Sequence, residues 1–377
     1  MKDAVREKFR FYEDFWQAVK SGGKTAYPIL FTEPHLAKDK NYIKYNLVEQ
    51  HRDVEKLLED GLLYVKPYLS LTDDGIPVIR SDLGTTLLPS GLGLAITVQP
   101  NQHPWLRNHM KPEEFLSLPS PLKERDIMQG EVALSVDFYR KFMERRGKGM
   151  YPDIIYPYLP DTQGVLDLAH LIIGSDIFYI FMDNPGIIEK LLSKSLELFN
   201  LATDMFKGLL GEKKTSMVHG HGMPIGVWFP DTGARISEDS CSLISGDMVK
   251  RYCIPFIERA IKRYGRGFLH FCGRHEEFLR LACELPTIST LNLGNPEMYS
   301  LEEVFEICGR TGTVYFGHIA VEEGEDGESY LERLVDLCGR FGTRLILVSR
   351  YHPEGEGEKE SLVRLWHRLT SKIGKDF

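Results

Sequence analysis

Two stretches near the C-terminal end of this chain almost repeat each other. EICGRTGTVYFGHI and DLCGRFGTRLILVS share Cys-Gly-Arg-x-Gly-Thr, thirty residues apart. Each reads as a helix end, a glycine turn and the start of a strand. A β/α unit recurring at that spacing asks for a parallel sheet whose strands are joined by helices. The second half keeps the same rhythm. Short apolar runs that close on polar residues or glycine occur at 153–161, 216–222, 267–273, 288–294, 313–319 and 344–351, with helical patterns between them. In the helical stretch 183–211, Pro185 stands in the first turn and Gly211 at the end.

The predicted fold class is α/β, a (β/α)8 TIM barrel with an N-terminal helical extension. Residues 1–60 are expected to form the extension and 61–377 the barrel, a length that suits one large barrel unit. GIPVIRSDLG (75–84) reads as an early strand ending near Asp82, and LLPSGLGLAITVQPNQHPWLRN as a loop and hairpin insertion. Cys308 and Cys338 fall at helix ends, where a small buried thiol packs well.

Composition narrows the function classes. The net charge of −8 argues against a nucleic-acid groove, which needs a basic field. The charged, amphipathic N-terminus has no apolar core of a signal peptide, and no run of about 18 apolar residues spans a membrane. The nearest candidate, 168–182, is interrupted by His170, Ser175 and Asp176. Six cysteines without a secretion signal suggest reduced thiols and a cytoplasmic location.

Residues two apart on a strand face the same way. In MVHGHG this pairs His219 with His221, and in FLHFCG it pairs His270 with Cys272. Leu269 and Phe271 then face the helices, leaving the imidazole and thiol inside the barrel. Asp161, Asn292, His318, Ser349 and Tyr351 close other strand-like runs, at the end where barrel enzymes carry their sites. The long segment 224–245 adds Trp228, read as part of a loop over the barrel mouth, then Asp231, Arg235, Glu238 and Asp239. From these residues alone, His270 and Cys272 are candidate metal ligands, while His219, His221 and Asp239 are candidate acid–base groups.

EDSCSLISGDMVKRYCIPFIERAIKRYGRGFLHFCGR resembles a block of the uroporphyrinogen decarboxylase superfamily: an acidic residue, a Ser-initiated helix with an internal Pro, and a strand ending His-x-Cys-Gly. DTQGVLDLAHLIIGSDIFYIFMDNPGIIEKLL, DGIPVIRSDLGTTLLPSGLG and GNPEMYSLEEVFEICGRTGTVYFGHI resemble further blocks, so the similarity runs over roughly residues 70–350. It implies a (β/α)8 barrel. The Arg-Gln-Ala-Gly-Arg stretch of the true decarboxylases is not found, and YPILFTEPHL stands where it belongs.

The other branch of the superfamily transfers methyl groups to or from corrinoid proteins or thiols, holding zinc with His-x-Cys and a distal Cys. That resemblance implies zinc at His270 and Cys272, a small-molecule substrate and a corrinoid carried by a partner protein. Dimers are common in the superfamily, so a homodimer is expected. Ser349 and Arg350 occupy the region of the distal Cys, leaving His318, His352 or Glu238 as candidates for the missing ligand. Arg80, Asp161, Trp228, Arg235, His318 and Tyr351 are expected around the substrate. Two alternatives stay open. One is a cofactor-independent decarboxylase of a porphyrinogen or smaller acid, with Asp82 stabilising the protonated intermediate and Arg80 or Arg350 holding carboxylates. The other is a non-catalytic binding barrel.

Overall fold

The computed structural model describes residues 2–33 and 41–374. The segment YPILFTEPHL therefore lies within the described residues only as far as position 33. Twelve strands are described: β1 Ile29–Phe31, β2 Ile76–Ile79, β3 Ile96–Gln99, β4 Gln102–Leu106, β5 Tyr156–Pro157, β6 Met217–His219, β7 Ile225–Phe229, β8 Thr232–Ser237, β9 Arg266–Phe271, β10 Ile288–Leu293, β11 Val314–Ile319 and β12 Leu345–Ser349. Six of them form a parallel sheet in the order β1-β12-β11-β10-β9-β8. A second sheet runs β5-β2-β7-β6, and β3 pairs with β4 as the expected hairpin.

The repeated Cys-Gly-Arg-x-Gly-Thr is a helix terminator. Helices Leu301–Thr311 and Gly327–Phe341 both end on a glycine in the left-handed region, Gly312 at φ +73° and Gly342 at φ +69°. The carbonyls of Cys308 and Cys338 accept the N–H groups of those glycines and of Thr313 and Thr343. A left-handed turn of this kind costs glycine little, which suits the motif to these two sharp turns from a helix into the next strand.

Two features depart from a regular eight-stranded barrel. First, β7 runs antiparallel to both β2 and β6, so the ladder is not a continuous parallel one. Second, β1 and β2 do not pair. Ile29 N–H donates to Asp74 Oδ2 and Phe31 N–H to Asp73 Oδ2, at 2.9 and 2.7 Å. These two carboxylates satisfy edge donors that an open sheet would leave bare.

The strand β1 lies inside the segment 1–60 that was expected to be a helical extension, and it pairs with β12. The helix Lys2–Ser21 is equally tied to the sheets. Its Tyr12, Phe15 and Trp16 recur at helical spacing and are fully buried. Trp16 Nε1–H donates to the Trp228 carbonyl at 3.0 Å, and Tyr12 O–H to the Asp74 carbonyl at 2.8 Å. This helix therefore covers the N-terminal end of the strands.

Among the described residues no single helix is long and apolar enough to cross a membrane. Helices Val165–Ile173 and Asp176–Asp183 have the composition jointly but meet at 110°.

Candidate metal and substrate site

The ladder brings three strand ends together. In the register of β8 with β9, Ser237 stands beside His270, and in that of β10 with β9, Asn292 stands beside His270. Two residues further on, Asp239 reaches the level of Cys272. Its Oδ1 accepts the Cys272 N–H at 2.7 Å and lies 3.8 Å from His270 Nε2. Cys272 Sγ is 3.5 Å from the same nitrogen. One donor atom from each of Asp239, His270 and Cys272 falls within 4.8 Å of the others.

The second layer fixes the imidazole. Asn292 Nδ2–H donates to the Phe316 carbonyl at 2.7 Å, which turns Asn292 Oδ1 toward His270 Nδ1 at 2.6 Å. A carbonyl oxygen only accepts, so Nδ1 carries the proton and the Nε2 lone pair points at Asp239 and Cys272. Gly294 backs the cluster. A β-carbon there would lie inside van der Waals contact of Cys272 Sγ and 3.1 Å from His270 Cε1.

The donor set fits zinc. A tetrahedral ion with bonds of about 2.3 Å to sulfur and 2.0 Å to nitrogen holds those donors about 3.5 Å apart, and Cys272 Sγ and His270 Nε2 stand at 3.5 Å. Three protein ligands leave a fourth position for substrate, the pattern of a catalytic site. Burial, then the Asp239 carboxylate, pushes the Cys272 thiol up to about 12. A cation between the two groups would reverse that second effect.

A chamber of about 220 Å³ opens beside the cluster, walled by Arg80, Asp161, His221, Arg235, Asp239 and His270 among others. Arg235 pairs with Asp161, and Arg80 with Asp82. Burial would raise the Asp161 carboxyl, but Arg235 and Arg80 outweigh it and hold it at about 2. His221 occupies the left-handed region at φ +47°, as does Gln163 at φ +58° in the same wall. Such conformations in non-glycine residues concentrate at functional sites. The His221 and His270 ring centroids are 4.3 Å apart, and those of His219 and His221 5.7 Å. Burial first, reinforced by nearby cationic groups, holds His219 and His221 well below the ordinary histidine value, so both are neutral. His219 Nε2 and His221 Nδ1 are buried without a partner. Arg80 and Asp82 also border a second cavity of about 640 Å³, walled by Tyr45, Tyr64, His103 and Tyr158 among others.

Other expected site residues lie elsewhere. Trp228 is not in a loop over the mouth. It lies on β7, and because that strand is antiparallel its end meets the N-terminal helix, where the Trp228 ring packs on Phe9 with centroids 5.3 Å apart. Tyr351 turns toward the C-terminal helix and donates to Glu358 at 2.8 Å. His318 ends β11 with Nδ1 unpartnered, lowered to about 4 by burial and by Arg350, but it lines neither cavity. Glu238 accepts the N–H groups of Val165, Leu166 and Asp167 and is not a cluster ligand. Ser349 Oγ accepts the Tyr351 N–H, and His352 is exposed. The third donor is instead Asp239, expected from sequence as an acid–base group. Asn292, Gln163 and Gly294 carried no sequence signal of their roles beyond the place of Asn292 at a strand end.

No protein-family model matches the chain, and no curated protein matches it. Among solved structures the fold is similar to a methyltransferase from Methanosarcina mazei, with a TM-score of 0.60, 14 % identity, and coverage of 92 % of this chain and 94 % of that one. At that identity the likeness establishes the barrel-type α/β fold alone.

Proposed function

We propose that this chain is a metal-dependent enzyme of methyltransferase type, holding zinc through Asp239, His270 and Cys272. The observation that carries the reading is the convergence of three donors with the His270 Nε2 lone pair already aimed among them. Likeness of the fold to a methyltransferase supports it. Bound zinc would supply a Lewis acid that keeps a thiol deprotonated at neutral pH.

The chain's own residues do the rest. Asn292 orients His270, and Gly294 leaves room for the thiol. Arg80 and Arg235, nearly buried and each with an unpartnered Nε, offer charge-assisted donors to an anionic part of the substrate. Neutral His221, held beside His270, is placed to take the proton that a thiol releases. The 640 Å³ cavity beyond Arg80 would take the body of a larger substrate. A corrinoid carried by a partner protein is the proposed methyl source or acceptor.

The test is methyl transfer from free methylcobalamin to a small anionic thiol, followed by loss of the cobalt–carbon absorbance. The carbon–cobalt bond breaks, a carbon–sulfur bond forms, and the thiol proton is released while the cobalt keeps the electron pair. The proposal expects thiol-dependent turnover that disappears in Cys272→Ala. Zinc binding without any transfer to or from a corrinoid would reject the corrinoid reading.

A further inference from the structure

Two buried carboxylates stand behind the cluster and bond backbone N–H groups rather than the three donor atoms. Asp167 belongs to the helix Val165–Ile173, and Glu238 precedes the turn Asp239–Leu243. Each holds the backbone of the segment that carries the other. Glu238 accepts Val165 N–H at 2.6 Å, Leu166 N–H at 3.0 Å and Asp167 N–H at 3.2 Å. Asp167 accepts Asp239 N–H at 2.9 Å and Ser240 N–H at 2.7 Å. These are the orphan donors of one helix start and one turn, each capped by the carboxylate of the other.

Gly164 makes the close approach feasible. A β-carbon there would collide with the Ser237 carbonyl and the Glu238 carboxylate. Ser240, in the same turn, is held a second time by His170 Nδ1 at 2.8 Å from its Oγ. Two buried acids this close are costly, and replacing such groups by apolar ones is often neutral or stabilising. Fold stability is a weak reason for the arrangement. What it does fix is the backbone of Asp239, whose side chain is 42 % exposed and is held only at its tip by the Cys272 N–H, so that without the clasp the turn carrying it would sample several positions.

We infer that Asp167 and Glu238 form a reciprocal clasp that positions Asp239 as the third metal ligand. This rests on the metal-site reading above. The clasp makes the ligand turn rigid before metal arrives, so the ion meets a preformed oxygen donor just past the end of β8, beside the nitrogen donor on β9 and the sulfur donor just past its end. An Asn at 167 offers one oxygen where two N–H groups now need one each, so the turn loses a hold on Asp239 or on Ser240.

The experiment compares wild type, Asp167→Asn, Asp239→Asn and the double variant. Zinc affinity is read by chelator competition, and amide hydrogen exchange at Asp239 and Ser240 is read in the metal-free protein. Asp167→Asn should weaken zinc about 10–100-fold, as removal of outer-shell partners does. It should also speed exchange at the two amides about tenfold or more, and it should add nothing to the loss in the Asp239→Asn background. A merely structural acid would lower thermal stability and leave that coupling absent. Zinc affinity within twofold of wild type, or fully additive losses, would overturn the clasp. If wild type takes up no zinc, the metal reading fails by itself, and unchanged amide exchange in Asp167→Asn then rejects the clasp. Should Asp167→Asn not fold, Glu238→Gln carries the same measurements, with the same expected direction.

Discussion

Replacing Asn292 with Leu tests the part of the site that the geometry specifies most tightly. The side chain keeps roughly its volume and loses both hydrogen bonds. His270 Nδ1–H and the Phe316 carbonyl, now satisfied at 2.6 and 2.7 Å, are left in a buried setting. Each unmade buried bond costs about 1–3 kcal/mol, so the fold should lose on the order of 2–6 kcal/mol. The effect on metal is separate. Nothing then holds the proton on Nδ1, and the ring can present a protonated Nε2 to the cluster. Outer-shell losses of this type weaken metal binding about 10–100-fold, or about 1.4–2.7 kcal/mol. Asn292→Asp is the paired variant. It still accepts the Nδ1–H but cannot donate to Phe316, so it should lose stability while keeping the tautomer. Chelator competition gives the affinity, and nitrogen NMR of the imidazole gives the protonation site. A Leu variant that binds zinc as wild type does, with the proton still on Nδ1, would refute the orienting role of Asn292.

Gly294→Ala should lower zinc affinity at least tenfold and cost about 1–3 kcal/mol of stability by overpacking, because metal ligands tolerate only about 0.2 Å of displacement. Wild-type affinity in that variant, measured by the same titration, would contradict the packing argument. Trp228→Ala should destabilise the fold by about 2–3 kcal/mol, at the low end for an aromatic that is not fully buried, with zinc affinity unchanged. Thermal unfolding and metal titration together check this, and a large loss of affinity would return Trp228 to the site. The His51–Glu131 pair predicts a pH effect. His51 Nδ1 faces the Leu47 carbonyl at 2.8 Å and Nε2 faces Glu131 at 3.0 Å. Burial would lower its pKa, but Glu131 and the Leu47 carbonyl outweigh it and raise it above the usual histidine value. The folded protein thus holds a proton that the unfolded chain releases near pH 6.5. This stabilisation is complete below that pH and fades as pH rises through the folded value. Melting temperatures on either side of neutrality should show the decline, and His51→Gln should remove it.

The sequence made some of this legible and hid the rest for identifiable reasons. Strand alternation correctly put His270 and Cys272 on the interior face, since Phe271 packs outward on Phe278 with centroids 4.7 Å apart, while Phe268 meets Phe316 inside. The pairing of His219 with His221 also held, although His221 lies past the end of β6. Asp239 could not be identified as the third donor from spacing, because it precedes Cys272 by 33 residues and meets it only through the register of β8 with β9. Trp228 misled because a continuous apolar run does not declare its direction. Only the pairing of β7 with β6 shows that it runs toward the N-terminal end. Likewise, a three-residue strand such as β1 has too few positions to carry a pattern, and its partner β12 lies more than 300 residues away.

The proposed chemistry depends on a metal ion held by Asp239, His270 and Cys272. Its most direct test is metal content by inductively coupled plasma mass spectrometry on wild type, Cys272→Ala and Asp239→Asn purified side by side. The expected result is about one zinc per wild-type chain, as a three-ligand catalytic site takes, lost in Cys272→Ala and reduced in Asp239→Asn. A wild-type protein that holds no zinc and binds added zinc no tighter than Cys272→Ala does would contradict it. Cys272 would then be a packed thiol, and the chemistry would rest with His219 and His221.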